Sequence, residues 1–402
     1  MIFVIIKSKK IYTPLRVIDG YIKMKDGKIA EVTAGEPVVG PDVEVIDYGD
    51  NVVLPGFIDL HTHGFATGSF THERTAESVT KMSQALVTQG VTSFLPTTGA
   101  DAISTIQGML AEADVAMNEW TPAVGADILG IHLEGPFINK AHKGMQKEEH
   151  CIDPSIEIFD EMIEPMSIDR IKLMTLAPEL PGAKELIQYL NKNEVQISIG
   201  HSAATFDEIK AIKDYGIGGV THMFSGMQGF HHRELGVAGS ALYFDDLYAE
   251  FAKQSGLTVL PEAVDLTIRI KTLDRITLCT DTVGLGQVEQ SFYHYIRETT
   301  FTPDGDHIIL EHDDGTVDRL DKNSIEDMLS VEIGYLESVQ NLMKWNNLDY
   351  ADIMKIASEN TAKYIDVYDR KGSLEKHKDA DIIVLDENTE LVQTYVLGVP
   401  QV

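Results

Sequence analysis

Six side chains able to bind a metal or move a proton stand at the far ends of short apolar runs: His61 and His63, Glu134, His201, His222 and Asp281. The runs read VVLPGFIDLHTHG (52–64), DILGIHLEGPF (127–137), QISIGHS (196–202), GVTHMF (219–224) and ITLCTDTVG (276–284). Each is a β-rich stretch that delivers its His, Glu or Asp where a Gly, Ser or polar residue ends the strand. His61 and His63 lie two residues apart on an extended chain, so both imidazoles share a face and can reach one cation. The Gly-Pro after Glu134 ends its strand and frees the carboxylate. Taken singly, each residue has a plain structural explanation: HxH pairs are common, His201 and His222 could be hydrogen-bonded core histidines, and Asp281 could cap the segment after it. Their recurrence at the same kind of strand end predicts a ring of strand tips aiming ligands at one centre. A parallel β/α barrel places its catalytic residues at that face.

Imidazole with carboxylate suits Zn²⁺ or Fe²⁺, as one or two ions per subunit, with Mn²⁺ or Co²⁺ as substitutes, and no thiolate is expected at the site. A divalent cation can lower the pKa of water from ~15.7 towards ~7. A carboxylate that is not a tight ligand, Asp281, is then the natural general base, able to carry the proton on to a leaving amine. Lys172 stands at the start of its strand, so no lysine is placed to bridge two ions, which leaves Glu134 as the bridge.

These side chains need a scaffold, and 402 residues suggest one barrel-sized domain plus something smaller. After the strand at 52–60 comes TAESVTKMSQALVTQG, where Val79, Met82 and Leu86 recur at helical spacing and Gly90 ends the pattern. Strand-like VTSFLPTT, DILGIHLEGP, IKLMTLAPE, QISIGHS, GVTHMF and ITLCTD follow, with a weaker candidate near 247–260 and helix-length segments between most of them. Thr205 with Glu208 three residues later forms a capping-box pattern just beyond His201. The first fifty residues and the last thirty-odd read as short strands, with Asp19-Gly20 and Asp26-Gly27 as hairpin-type turns. The expected architecture is a (β/α)8 TIM-like barrel of the metal-dependent hydrolase type over 53–369. A small β-sandwich domain is expected from both termini together, 1–52 and 370–402. Residues 290–325 interrupt the alternation with hairpin-like sequence.

The net charge of −30, from 63 acidic and 33 basic residues, argues against nucleic acid or an anionic membrane as partner. An anionic substrate must therefore be held by a local cluster of cations. Two cysteines, Cys151 and Cys279, make no disulfide framework and fit a reducing compartment. No apolar run approaches the ~20 residues that cross a bilayer, and MIFVIIKSKK is too short for a signal peptide, so a cytoplasmic location is expected.

PGFIDLHTHG, GIHLEGPF, SIGHS, VTHMF, HHRELG, CTD and the closing RKGSLEKHKDADIIVLD, in this order, resemble the N-acetylglucosamine-6-phosphate deacetylases of the amidohydrolase superfamily. The resemblance runs from about residue 50 to the end of the chain. It implies a homodimer that removes acetate from an N-acetylated amino sugar phosphate. By position it implies Glu134, His201 and His222 as the ligands of single-metal members, His61 and His63 as those of a second metal, and Asp281 as acid/base. Arg233 of HHRELG matches a phosphate-contacting arginine that reaches across the dimer, with His231 and His232 beside it. The substrate shell departs from the family pattern. Ser225 and Gly226 replace an Asn-Ala pair, Thr258 replaces a histidine, Gln146 ends a KGMQ segment, and acidic DRLDK (318–322) replaces a loop of small residues. Arg233, His232, Ser225, Gly226, Gln146 and Thr258 are thus the expected substrate-binding positions.

Overall fold

A computed structural model describes residues 3–40, 43–284, 291–294, 299–321 and 333–401. Eight parallel strands form the centre: β1 (Phe57–Thr62), β2 (Val91–Thr98), β3 (Ile131–Glu134), β4 (Ile171–Leu176), β5 (Gln196–Ile199), β6 (Ile217–Val220), β7 (Tyr248–Ala252) and β8 (Ile276–Cys279). They pair in that order, with the short strand Asp127–Ile128 beside β2. The β8–β1 seam is closed by the Asp281 N–H donating to the His61 carbonyl (2.7 Å) and the Thr280 hydroxyl donating to Asp59 (2.6 Å). Seven helices, from Ala76–Leu86 to Pro261–Lys271, fall in the connections between strands, and Tyr335–Asn346 follows β8. Thr205 and Glu208 form the expected capping box on Phe206–Ile212, which fixes the chain direction just after β5. This is the TIM-type barrel that the strand alternation predicts.

The mouth at the strand starts is plugged. Tyr364 stacks on Tyr248, ring centres 4.7 Å apart, and its hydroxyl donates to the Ile197 carbonyl (3.3 Å). It packs in one buried cluster with Ile58, Leu60, Leu95 and Leu173. Burying each such side chain contributes about 1.5–3 kcal/mol. Only the other mouth, at the strand ends, is left to take a ligand.

Both ends of the chain build one further sheet. Its order runs Val399–Pro400, Leu391–Val396, Ile382–Leu385, Val52–Pro55, Phe3–Tyr12, Val17–Lys25, Lys28–Ala34, with Val43–Asp47 paired to Phe3–Tyr12. Ile6, Ile11, Ile22, Val53, Ile382 and Tyr395 fill the core of this small β domain. The run 52–64, which reads as one strand, is two: Val52–Pro55 serves this sheet and Phe57–Thr62 the barrel, with the break at Gly56. Asp26-Gly27 makes the expected turn, both residues at positive φ (50° and 77°).

Asp19-Gly20 is a correction: the strand Val17–Lys25 runs straight through it. A Cβ on Gly20 would lie 2.1 Å from the Thr33 carbonyl oxygen, so glycine is there to admit a neighbouring strand and not to turn the chain. The 290–325 segment carries a four-stranded antiparallel sheet, Phe292–His294, Thr299–Asp304, His307–His312 and Val317–Asp321. Its Phe301, Ile308 and Leu310 pack against Val283 at the open mouth. Four of the DRLDK residues lie in or at its outer strand, and Lys322 falls outside the described residues. No helix among the described residues is long and apolar enough to cross a membrane.

Candidate active site

Four consecutive strands end alike. His201 follows β5, His222 follows β6, Lys253 follows β7 and Asp281 follows β8, at φ 51°, 32°, 46° and 49°. Non-glycine residues rarely take this left-handed backbone, and each such position costs on the order of 1–3 kcal/mol. Here the same kink recurs at each of these strand tips, where it lets the side chain leave the strand line near the barrel axis. His61 and His63 come from β1 and the residue after it, and Glu134 is the last residue of β3.

The structure brings the five expected ligands and Asp281 together. Glu134 is buried at the centre: Oε1 lies 3.2 Å from His201 Nε2 and 3.1 Å from His222 Nε2, while Oε2 lies 3.2 Å from His63 Nε2. His201 and His222 face each other through Nε2 at 3.2 Å, and His61 and His63 do so at 3.3 Å. Asp281 Oδ1 lies 3.4 Å from His63 Nε2 and 3.5 Å from His61 Nε2.

The outward nitrogens decide the tautomers. His63 Nδ1 faces the Thr97 carbonyl (3.2 Å), His201 Nδ1 the His142 carbonyl (2.7 Å), His222 Nδ1 the Ser225 carbonyl (3.0 Å) and His61 Nδ1 the Glu250 carboxylate (3.0 Å). Each of these Nδ1 atoms must donate, so each Nε2 presents a lone pair to its neighbours and to Glu134. Lone pairs gathered around a carboxylate need positive charge among them. A tetrahedral ion with bonds of about 2.0–2.1 Å keeps its ligand atoms about 3.3 Å apart, which the contacts of Glu134, His201 and His222 match. The donor set therefore fits a divalent cation, and Glu134, with Oε1 near His201, His222 and (3.5 Å) His61 and Oε2 near His63, can serve two.

Protons are the alternative source of that charge. Burial works against a charged His61, yet Glu134, Asp281 and Glu250 hold its imidazole well above the ordinary range. His63 and His222 are raised against burial by hydrogen bonds and charge from Asp281 and Glu134. Burial opposes ionisation of Glu134 as well, but the surrounding imidazoles hold it well below the usual carboxylate range. Asp281, also against burial, is held low by the Lys253 ammonium and by His61 and His63. It is therefore an ionised proton acceptor at neutral pH.

Lys253 went unnoticed in the sequence. Its Nζ lies 3.2 Å from Asp281 Oδ2, so the carboxylate is held at both oxygens. It lines a cavity of about 210 Å³ with His63, Glu134, His201, His222 and Asp281, walled further by Thr71, Gly99, Gly144, Met145 and Val283. Among the described residues no other lysine or arginine lines it. His132, buried under His61 with ring centres 4.6 Å apart, is kept uncharged by burial and by His61. Cys279 also lies near His61, but burial pushes its thiol well above the ordinary range, so it offers no thiolate.

The expected substrate positions divide into two groups. Ser225, Gly226 and Gln146 line the cavity. Gln146 donates its amide to Glu134 Oε2 (3.2 Å) and accepts from the Ala100 N–H (2.9 Å), so it braces the central carboxylate. Gly226 stands at φ 56°, where a Cβ would press to 3.1 Å from His201 Nδ1. His232, Arg233 and Thr258 are exposed and do not line the cavity of their own chain. The Thr258 hydroxyl turns back to donate to the Lys253 carbonyl (2.8 Å).

With this geometry in place, the amidohydrolase family model matches residues 52–400. The chain is 33% identical over 400 residues to the N-acetylglucosamine-6-phosphate deacetylase of Bacillus subtilis (strain 168), an alignment covering 98% of this chain and 96% of that protein. It is 28% identical to the N-acetylgalactosamine-6-phosphate deacetylase of Escherichia coli O157:H7, covering 98% of each. Among solved structures, it is similar to the N-acetylglucosamine-6-phosphate deacetylase of Thermotoga maritima, with a TM-score of 0.80, 27% identity and 99% of each chain covered.

Proposed function

The chain belongs to the amidohydrolase family, in its group of N-acetylglucosamine-6-phosphate deacetylases, and we propose that it hydrolyses N-acetylglucosamine 6-phosphate to glucosamine 6-phosphate and acetate. The observation that carries this reading is the convergence of Glu134, His201, His222, His61 and His63 on one centre with an ionised Asp281 beside it. Glu134, His201 and His222 would hold one divalent ion, zinc or iron, and His61, His63 and Glu134 a second. When bound, the cation supplies Lewis acidity that acidifies water and polarises the acetyl carbonyl.

The rest is the work of the chain. Asp281 takes the proton of the attacking water at Oδ1 and returns it to the amide nitrogen as the C–N bond breaks, so that acetate and a free amine leave. Lys253 keeps Asp281 ionised and fixes its second oxygen. Ser225 and Gly226 shape the wall on which the sugar lies, and the Val283 side borders the antiparallel sheet. Arg233 and His232 sit on an exposed loop and, in a homodimer, would serve the phosphate in the pocket of the other subunit. This reading also places the enzyme in the cytoplasm, where unpaired thiols such as Cys151 and Cys279 persist.

Acetate release from a panel of N-acetylglucosamine 6-phosphate, N-acetylgalactosamine 6-phosphate and unphosphorylated N-acetylglucosamine tests the reading. The first should show the highest kcat/KM. Preference for the galactosamine epimer moves the substrate within the class, a reading favoured by the E. coli relative and by the altered Ser225-Gly226 wall. Equal turnover without the phosphate removes the role given to Arg233.

A further inference from the structure

Beneath the pocket floor, β7 carries a carboxylate that the reaction does not use. Glu250 is buried, 2% exposed, and its Oε1 is approached by two donors: His61 Nδ1 at 3.0 Å and the backbone N–H of His222 at 3.0 Å. Those histidines belong to different ligand triads, His61 with His63 and Glu134, and His222 with Glu134 and His201. One oxygen thus touches both halves of the centre.

The two contacts are not equivalent. His222 has its tautomer set by the Ser225 carbonyl, whatever Glu250 does, and Glu250 reaches only its backbone. Besides Glu250, His61 has the Cys279 sulfur for a partner on that side, a weak acceptor, so it is the Glu250 carboxylate that commits Nδ1 to donating and Nε2 to a lone pair. His61, Glu250 and Cys279 also lie close enough together to suggest an ion position of their own. That position fails on donors: His61 Nδ1 is spent on Glu250.

We propose that Glu250 is the positioning residue that makes the His61–His63–Glu134 position able to hold an ion, so that this carboxylate sets how many ions the chain binds. A buried carboxylate behind a ligating histidine fixes the tautomer, aims the ring and raises its basicity. Without it the His61 proton can move to Nε2, which then points a donor at the centre. The inference rests on the two-ion reading above.

Competitive titration of the ion-free protein with Zn²⁺ against a chromophoric chelator, together with elemental analysis, tests it. Wild type should bind two ions per chain. Glu250→Gln keeps an acceptor oxygen but loses the charge, and should weaken one ion by about ten- to hundredfold while leaving the other nearly unchanged. Glu250→Ala should retain one ion. Nitrogen-15 spectra of the imidazoles give a readout that a merely structural role would not move: the His61 ring should lose its fixed Nδ1–H tautomer in Glu250→Ala and keep it in Glu250→Gln, where only the charge behind it is gone. If Glu250→Ala does not fold, Glu250→Gln carries the test. Two ions of unchanged affinity in folded Glu250→Gln, or equal weakening of both, would overturn the proposal while leaving the hydrolytic reading intact. A single ion in wild type would overturn the two-ion reading and this inference with it.

Discussion

At the joint between barrel and terminal sheet, the Lys371 ammonium is buried among three carboxylates: Asp381 at 2.6 Å, Asp127 at 3.0 Å and Asp379 at 3.2 Å. Arg370 (2.9 Å) and Lys28 add their charges to Asp379. At the open mouth Glu134 and Glu250 are as deeply buried and Asp281 partly so, yet among the described residues one lysine, Lys253, faces that group, beside the imidazoles of His61, His63, His201 and His222. The first cluster contains its own positive charge. The second has a single ammonium for three carboxylates, and its histidines turn lone pairs inward. Buried carboxylates alone do not distinguish scaffold from active centre; the source of the counter-charge does. Where the chain supplies it, the cluster ties elements together, and where it must come from solution, the cluster is a site.

The largest expected effect breaks the chemistry without touching either counter-charge. Asp281→Asn should lower kcat by about 10²–10⁴-fold while elemental analysis finds the ion content nearly unchanged. Retained turnover would remove Asp281 from its role. Next, Lys371→Met strands three carboxylates and should cost about 3–5 kcal/mol in chemical denaturation. Ion content of the folded fraction should stay at the wild-type value, and a parallel loss of ions would mean that the two clusters are not independent. Stripping the ions with a chelator is the counterpart at the mouth. Wild type should lose activity and about 2.7 kcal/mol of stability for each ion removed, relative to protein held at a hundredfold excess over Kd. An unchanged Tm would deny that the centre needs an external cation.

The smallest effect is one of pH. In the ion-free chain His61, His63 and His222 have folded pKa values raised above the ordinary 6.5. Their contribution to its stability is therefore fully present below about pH 6.5 and is lost as pH rises through the raised values. Ion binding needs the same nitrogens deprotonated, so the loaded chain gains where the ion-free chain loses. The Tm gap between loaded and ion-free protein should widen from about pH 6 to about pH 9, and a narrowing gap would contradict the assignment. The Lys371 ammonium contributes no slope over that range. Raised above 10.5 by Asp381, Asp127 and Asp379 against burial, it keeps its contribution until strongly alkaline pH.

Much of this was legible because strand ends advertise themselves. His61, His63, Glu134, His201, His222 and Asp281 each stand where an apolar run meets a Gly, Ser or polar residue, a signal that survives without structure. Glu250 and Lys253 carry no such mark. YAEFAKQSG looks like a weak strand, and only barrel closure shows that Glu250 points under two histidines while the left-handed backbone at Lys253 swings its ammonium to Asp281. Gly20 misled because the same residue serves a turn and a close strand approach, and the Thr33 carbonyl that decides between them lies on another strand. Thr258, His232 and Arg233 were placed by resemblance, and one chain's fold leaves them on exposed loops.

The strand Val52–Pro55 sits between Phe3–Tyr12 and Ile382–Leu385. It leaves the ribosome roughly 330 residues before its second neighbour, an interval of about 15–70 s at about 5–20 residues per second. Throughout that time an apolar strand edge stands bare, open to pairing with other nascent chains. The terminal sheet is thus completed after the barrel, and truncation or stalling before residue 382 should yield aggregation before it yields an inactive barrel.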